Sequence, residues 1–374
     1  MRLKSFLAAA LFLAAPLFAE NPHVSDSSLL SFEIEGVGEI QLEKGKSDQI
    51  ETSRLLLQRP GGARQVIDSY EGLLPADLVK HDLDGDGIVE IIAMLRHPDG
   101  IDVMPYIYGN LNDFERFFPP PNQDSNPLIC REVFISSHNG MPAVCTRNQI
   151  SYHDFGPPEL YRLELYRLQK GQFSLIHQGF SEGDHFNILM NRGAYALHNG
   201  QYLDALDYYN QVISSSTGEI TTRAFVEALF GLAEARKFSK DFNSAIELYQ
   251  KIVVDFSENS LTDAAQGEIE LISANLDNLD ALSFYVDVLS SINCDRWETA
   301  LELLQQHPVA RSGGKLQDRF LYTQAEVLTA LNRVEEAIKV YHEIKERFPD
   351  SPIIESVDAI LEDMQEKPEE KDGI

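Results

Sequence analysis

Apolar residues follow two different periods along this chain, and the change falls near residue 184. From about Ser31 to Phe180 they come in short runs broken by Gly, Pro and Asn. Arg54–Gln58, then Pro60-Gly61-Gly62, then Arg64–Tyr70 reads as strand, turn, strand. In Glu159–Leu168, Leu160, Arg162, Glu164 and Tyr166 alternate with Tyr161, Leu163, Leu165 and Arg167, and Lys170-Gly171 leads into a second strand over Gln172–Gln178. Arg131–Ser136 and Met141–Arg147 flank His138-Asn139-Gly140 as a hairpin. A proline-rich interruption, Pro119-Pro120-Pro121 to Pro127, divides this β-rich part in two. From Asp184 onward prolines nearly vanish and apolar residues recur at three and four, which is helical spacing. The pattern predicts an α+β multidomain chain, with a β-rich domain followed by an all-α one.

The helical part repeats itself. Ala205-Leu206-Asp207-Tyr208-Tyr209-Asn210-Gln211-Val212 aligns with Ala245 to Ile252 and with Ala337 to Ile344. Each copy sets an Ala, an aromatic four residues on and a β-branched residue three later on one helix face. A small residue stands twelve positions before each Ala: Gly193, Ala233 and Ala325. Small residues let paired helices approach closely, and the tyrosines fill the gap between neighbouring pairs. A degraded copy centres on Ala300-Leu301-Glu302-Leu303-Leu304, with Leu304 in the tyrosine place. Ala-to-Ala spacings of 40, 55 and 37 leave room for an extra helix around Leu261–Asn275. From Asp184 to Met364 the pattern resembles the tetratricopeptide repeat, a helix-turn-helix unit that stacks into a solenoid. That resemblance implies a concave surface for a protein or peptide partner. The closing stretches Asp255-Phe256-Ser257 and Phe348-Pro349-Asp350-Ser351 are similar to those of periplasmic repeat proteins of Gram-negative envelopes, although proline there also serves simply to stop a helix.

Composition adds the compartment. Arg2 and Lys4 precede an apolar run, Phe6 to Phe18, and Ala19 stands just before Glu20, the layout of a cleavable secretory signal peptide. The run is shorter than the roughly 20 residues a bilayer demands, so a spanning helix is not expected there or later. The expected location is periplasmic or secreted, with 1–19 as leader, 20–183 as the β-rich domain, 184–366 as helical repeats and 367–374 as a disordered acidic tail. With 31 basic and 59 acidic side chains the formal charge is −28. A phosphate backbone would be repelled, because nucleic-acid binders present a basic stripe, and no such stripe is found. Nucleic acid is excluded as a partner class.

The sharpest motif is His81-Asp82-Leu83-Asp84-Gly85-Asp86-Gly87-Ile88-Val89-Glu90. Carboxylates at alternate positions with interposed glycines let a tight loop aim hard oxygens at one centre, which suits Ca²⁺. An EF-hand would carry Glu where Ala93 stands and continue as a helix. Here Ile88–Leu95 reads as a buried strand. The loop resembles the calcium loop of FG-GAP (integrin α-type) propeller blades. By that resemblance Asp82, Asp84, Asp86 and Glu90 are ligands, Ile88 contributes its backbone carbonyl, and the domain is a partial blade set or a small β-sandwich. A solvated acidic turn without metal is the alternative.

Three cysteines without a C-x-x-C pair make zinc unexpected. Export would permit a bridge between Cys130 and Cys145. A two-residue Asn139-Gly140 turn places Cys145 opposite Phe134, with Cys130 four residues further along, so two buried thiols are equally compatible. Cys294 reads as a small core hydrophobe. No G-x-S-x-G, H-E-x-x-H or G-x-G-x-x-G occurs, and Gly45-Lys46-Ser47 lacks the leading glycine of a phosphate loop. The expectation is a non-enzymatic exported scaffold for protein–protein contacts in envelope assembly or maintenance. Its alternative is an exported hydrolase, or an accessory or regulatory subunit of one.

Overall fold

The computed structural model describes residues 29–47, 50–109, 114–120, 128–169, 172–215, 220–306 and 314–366. The leader and the acidic tail lie outside these. Twelve strands and ten helices are described, and they fall into two units. The first takes in residues 29–150 and 160–182. The second takes in Ser151–Glu159 and the chain from Gly183, so one short segment between two strands belongs with the helices.

Three antiparallel sheets of four consecutive strands make up the β unit. The first holds β1 (Leu29–Ile34), β2 (Gly38–Ser47), β3 (Ile50–Gln58) and β4 (Arg64–Glu71). The second holds β5 (Leu74–His81), β6 (Glu90–Arg96), β7 (Val103–Gly109) and β8 (Glu115–Phe118). The third holds β9 (Glu132–His138), β10 (Met141–Ile150), β11 (Leu160–Gln169) and β12 (Gln172–Phe180). The expected strand pairs are therefore present, but the division is into three sheets and not two parts. The prolines from Pro119 lie between the second and third sheets. Between the first and second the chain turns only through Gly72, at φ +71°, and Leu73. Nothing polar or proline-rich marks that turn.

The second sheet is the middle layer. Ile91, Ala93 and Leu95 of β6 pack with Ile40, Leu42, Leu55 and Leu57 of the first sheet. Ile92 and Met94, on the other face, pack with Val144 and Leu168 of the third. A strand covered on both faces needs no polar alternation, and this explains the unbroken apolar run after Glu90. Strand β2 carries Gln41 and Glu43 on the opposite parity, where Arg64 of β4 donates to both. Leu56 and Val66 stand in register with Gln41 on the same face, so that face is mixed in character.

The third sheet settles the hairpin. Asn139 at φ +55° and Gly140 at φ +76° form the two-residue turn, and Cys145 pairs with Phe134. Cys130 does not extend β9. It bridges to Val103 at the start of β7, exchanging both main-chain hydrogen bonds at 2.7 and 3.1 Å. Both thiols are free and buried, so the candidate bridge is not formed in the structure. Burial pushes each thiol up to about 12, which leaves them protonated and unreactive at neutral pH. Cys294 is also free, and it caps a helix half-buried instead of filling a core.

The helical unit runs α1 (Phe186–His198), α2 (Tyr202–Ser214), α3 (Thr222–Phe238), α4 (Phe242–Asp255), α5 (Thr262–Asn275), α6 (Leu279–Asn293), α7 (Trp297–Gln306), α8 (Gln317–Ala330), α9 (Val334–Arg347) and α10 (Ile354–Glu366). The extra helix expected around Leu261–Asn275 is α5. Four pairs, α1–α2, α3–α4, α6–α7 and α8–α9, share one turn. Its left-handed residue is Gly200, Lys240, Asp295 and Asn332 in turn, at φ between +54° and +73°. In each, the next amide reaches back five residues: Gln201 to Ala196, Asp241 to Arg236, Arg296 to Ser291 and Arg333 to Leu328. These are Schellman closures, which satisfy the last carbonyls of the first helix. The degraded copy at Ala300 is therefore a full structural repeat, with buried Leu304 where the others hold tyrosine.

Candidate functional site

The acidic loop joins β5 to β6, and the His81–Glu90 pair closes its neck. Within it the aspartates organise the backbone. Asp82 accepts from Gly85 N (2.7 Å) and Gly87 N (3.0 Å) with its two oxygens. Asp84 accepts from Asp86 N, and Asp86 from Ile88 N at 2.7 Å. Gly85 and Gly87 sit at φ +80° and +87°, where a side chain would be strained. The outcome is that one oxygen from each of Asp82, Asp84 and Asp86 lies within 4.8 Å of the others. Two oxygens bound to one Ca²⁺ at about 2.4 Å can stand at most about 4.8 Å apart, so the donor set fits a hard divalent cation.

The expected ligands do not all converge. Glu90 is buried at 3% exposure and is not in that group of three. Its Oε2 accepts from Leu83 N at 2.6 Å and so braces the loop from beneath. Burial pushes its carboxyl up to about 7 and the three aspartates push the same way, while the Leu83 amide pulls it down. Ile88 is exposed, and its amide is bonded to Asp86. Beside the loop lies an open depression lined by Asp84, Gly85, Asp86, Gln169, Gln172 and Ser174. The last three come from the end of β11 and the start of β12, far along the chain. No motif singles them out, and only the packing of the second sheet on the third brings them here.

A second concentration of charge is buried among the helices. The Lys237 ammonium, 3% exposed, lies 2.8 Å from Glu234 and 3.1 Å from Glu268. Burial pulls Lys237 down, but the two carboxylates more than reverse this and hold it above its ordinary value. Burial raises Glu268 even though Lys237 pulls it down. Tyr249 donates to Glu234. The network ties α3, α4 and α5 together. Two histidines of the helical unit make local contacts. His185 caps α1 by accepting from Asn187 N, and His198 pairs with Asp295 at 2.9 Å. Among the described residues the aspartates of the loop are the one group of three or more His, Cys, Asp or Glu side chains spaced to hold a metal. No described helix is long and apolar enough to cross a membrane.

Two segments, 227–259 and 320–351, match the family model of the tetratricopeptide repeat. The first spans most of α3 with α4, the second α8 with α9. They contain Ala233, Ala245 and Tyr249, and Ala325, Ala337 and Tyr341, the positions on which the internal repeat was recognised. No curated protein matches the chain.

Proposed function

We propose that this chain is a non-catalytic scaffold whose helical unit binds protein partners, working outside the cytoplasm in envelope assembly or maintenance, with a β unit stiffened by one Ca²⁺. The observation that carries the reading is the pair of repeat matches, which fall on two of the four helix pairs closed by the same turn. Stacked pairs of this kind offer a continuous surface built from the first helix of each pair. The signal-like leader supports export. For the metal, the propeller-like loop pattern and the convergence of Asp82, Asp84 and Asp86 support direct ligation by these three, with Glu90 bracing the loop through Leu83.

The test is affinity purification of the tagged full chain from its native cells after brief cross-linking, together with its mature N-terminus. The expected result is a protein recovered in near-stoichiometric amount, and a chain that begins at Glu20. Repeated recovery of the chain alone would overturn the scaffold reading, and an N-terminus at Met1 would overturn export.

A further inference from the structure

Helix α5 lies between the second and third helix pairs and belongs to neither. Little in its own sequence holds it. Leu261 before it gives no side-chain cap, and Gly267 stands in its interior with open space where a side chain would be. That glycine makes the helix about fivefold less favourable than alanine would. A helix of 14 residues is marginal in water by itself. Its buried apolar residues are Ala265 and Ile272, which join a core shared with Tyr249 and Ile252 of α4 and with Leu282 and Val286 of α6. Its other buried side chain, Asn275, turns back onto the same helix and donates to Leu271 O at 2.7 Å.

The remaining tie from the middle of α5 is ionic. Glu268 meets the buried Lys237 ammonium of α3 at 3.1 Å. The two carboxylates around that ammonium are not equivalent. Glu234 takes two donors, Lys237 at 2.8 Å and the Tyr249 hydroxyl of α4. Glu268 has Lys237 alone within bonding distance. Arg319 of α8 acts on it from farther away, and Tyr249 and Tyr285 of α6 feel its charge. Lys237 and both tyrosines are held above their ordinary values, and an arginine does not titrate, so these four keep one charge state between pH 5 and 8. Two carboxylates therefore compete for one buried ammonium, and Glu268 is the one with fewer donors.

We infer that α5 is a pH-sensitive joint between the second and third helix pairs, held in place when Glu268 is protonated and loosened when it ionises. Burial sets the sign. A released α5 leaves Glu268 in water as an ordinary carboxylate, whereas docking raises its affinity for a proton. Docking of the helix therefore takes up a proton. Its full strength is present in acid and is lost as pH rises through the raised value of Glu268. A plain salt bridge has the opposite sign, because it needs the ionised carboxylate and strengthens as pH rises. The joint is built from the helical unit alone and requires neither export, Ca²⁺ nor a partner.

The test is hydrogen–deuterium exchange of the full chain, read by mass spectrometry at pH 5 and pH 8 and corrected for the intrinsic rate at each pH. Peptides covering Thr262–Asn275 report α5, and peptides covering Val334–Arg347 of α9 serve as reference. In the wild type, α5 is expected to lose about threefold or more in protection relative to α9 between pH 5 and pH 8. Glu268→Gln, which mimics the protonated carboxyl, is expected to remove that step and to leave α5 at pH 8 as protected as in the wild type at pH 5. Gly267→Ala meets no neighbour and is expected to raise protection about fivefold at both pH values, with the step kept. A wild-type step in α5 no larger than that in α9 overturns the proposal. So does lower protection of α5 in Glu268→Gln at pH 8, the mark of an ion pair that holds the helix. Should Glu268→Gln fail to fold, the wild-type comparison decides alone.

Discussion

Tyr209 shows how one side chain sets a distance between helices. Its ring is 2% exposed and lies against two glycines, Gly193 of α1 and Gly231 of α3. A Cβ added at Gly193 would lie 2.9 Å from the ring, and one at Gly231 would lie 2.4 Å from it. Both glycines stand in helix interiors, where each forgoes about 1 kcal/mol relative to alanine. That cost persists because the ring needs the space. Gly231→Ala gains helix propensity but forces a clash of the kind that costs about 1–3 kcal/mol. The net expectation is destabilisation by up to about 2 kcal/mol, read as a lower urea midpoint with unchanged slope. A midpoint raised by the substitution would show that the slot is not tight. Gly193 was legible as the small residue paired with Ala205. Gly231 was not, because it lies two positions before Ala233 and belongs to the next helix pair, and only the fold brings it to the same ring.

At the scale of elements, what could be read depended on how local each signal was. The Asn139-Gly140 hairpin, the buried run after Glu90 and helix α5 are each encoded within about 15 residues, and they stand where the sequence pattern places them. The boundary between the first two sheets was invisible because Gly72 and Leu73 form a turn with no more punctuation than a hairpin. The repeat at Ala300 was hard to see because Leu304 replaces the tyrosine, yet its Asp295 turn has the same hydrogen bonds as the others. Cys130 lay beyond sequence reasoning, since its partner Val103 is on a strand of another sheet. The acidic loop was the most local signal of all, and it gives the prediction at this scale. Ca²⁺ that binds only the folded loop stabilises by RT ln(1 + [L]/Kd), about 2.7 kcal/mol at a hundred times Kd. Differential scanning calorimetry of the full chain is expected to show a higher melting temperature in Ca²⁺ than in chelator, and Asp84→Ala is expected to abolish that difference. Identical traces for the wild type would exclude the metal.

For the molecule as a whole, charge and topology carry the consequences. With 59 acids against 31 bases the surface repels polyanions at any distance shorter than the screening length. The chain is expected to pass unretained through a column of immobilised duplex DNA even at low salt, and retention that weakens with added salt would reveal a basic patch and reverse the exclusion. Topology bears on how the β unit comes into being. The strands of each sheet follow one another along the chain, within Leu29–Glu71, Leu74–Phe118 and Glu132–Phe180, and each pairs in its sheet with its sequence neighbours, the one bridge between sheets being Val103 to Cys130. Neighbour pairing keeps contact order low and loop closure inexpensive. A chain delivered N-terminus first can therefore finish one sheet before the next has emerged, in the order in which the layers stack. The half-made molecule then exposes at most the inner face of the last completed sheet, and the following four strands arrive to cover it.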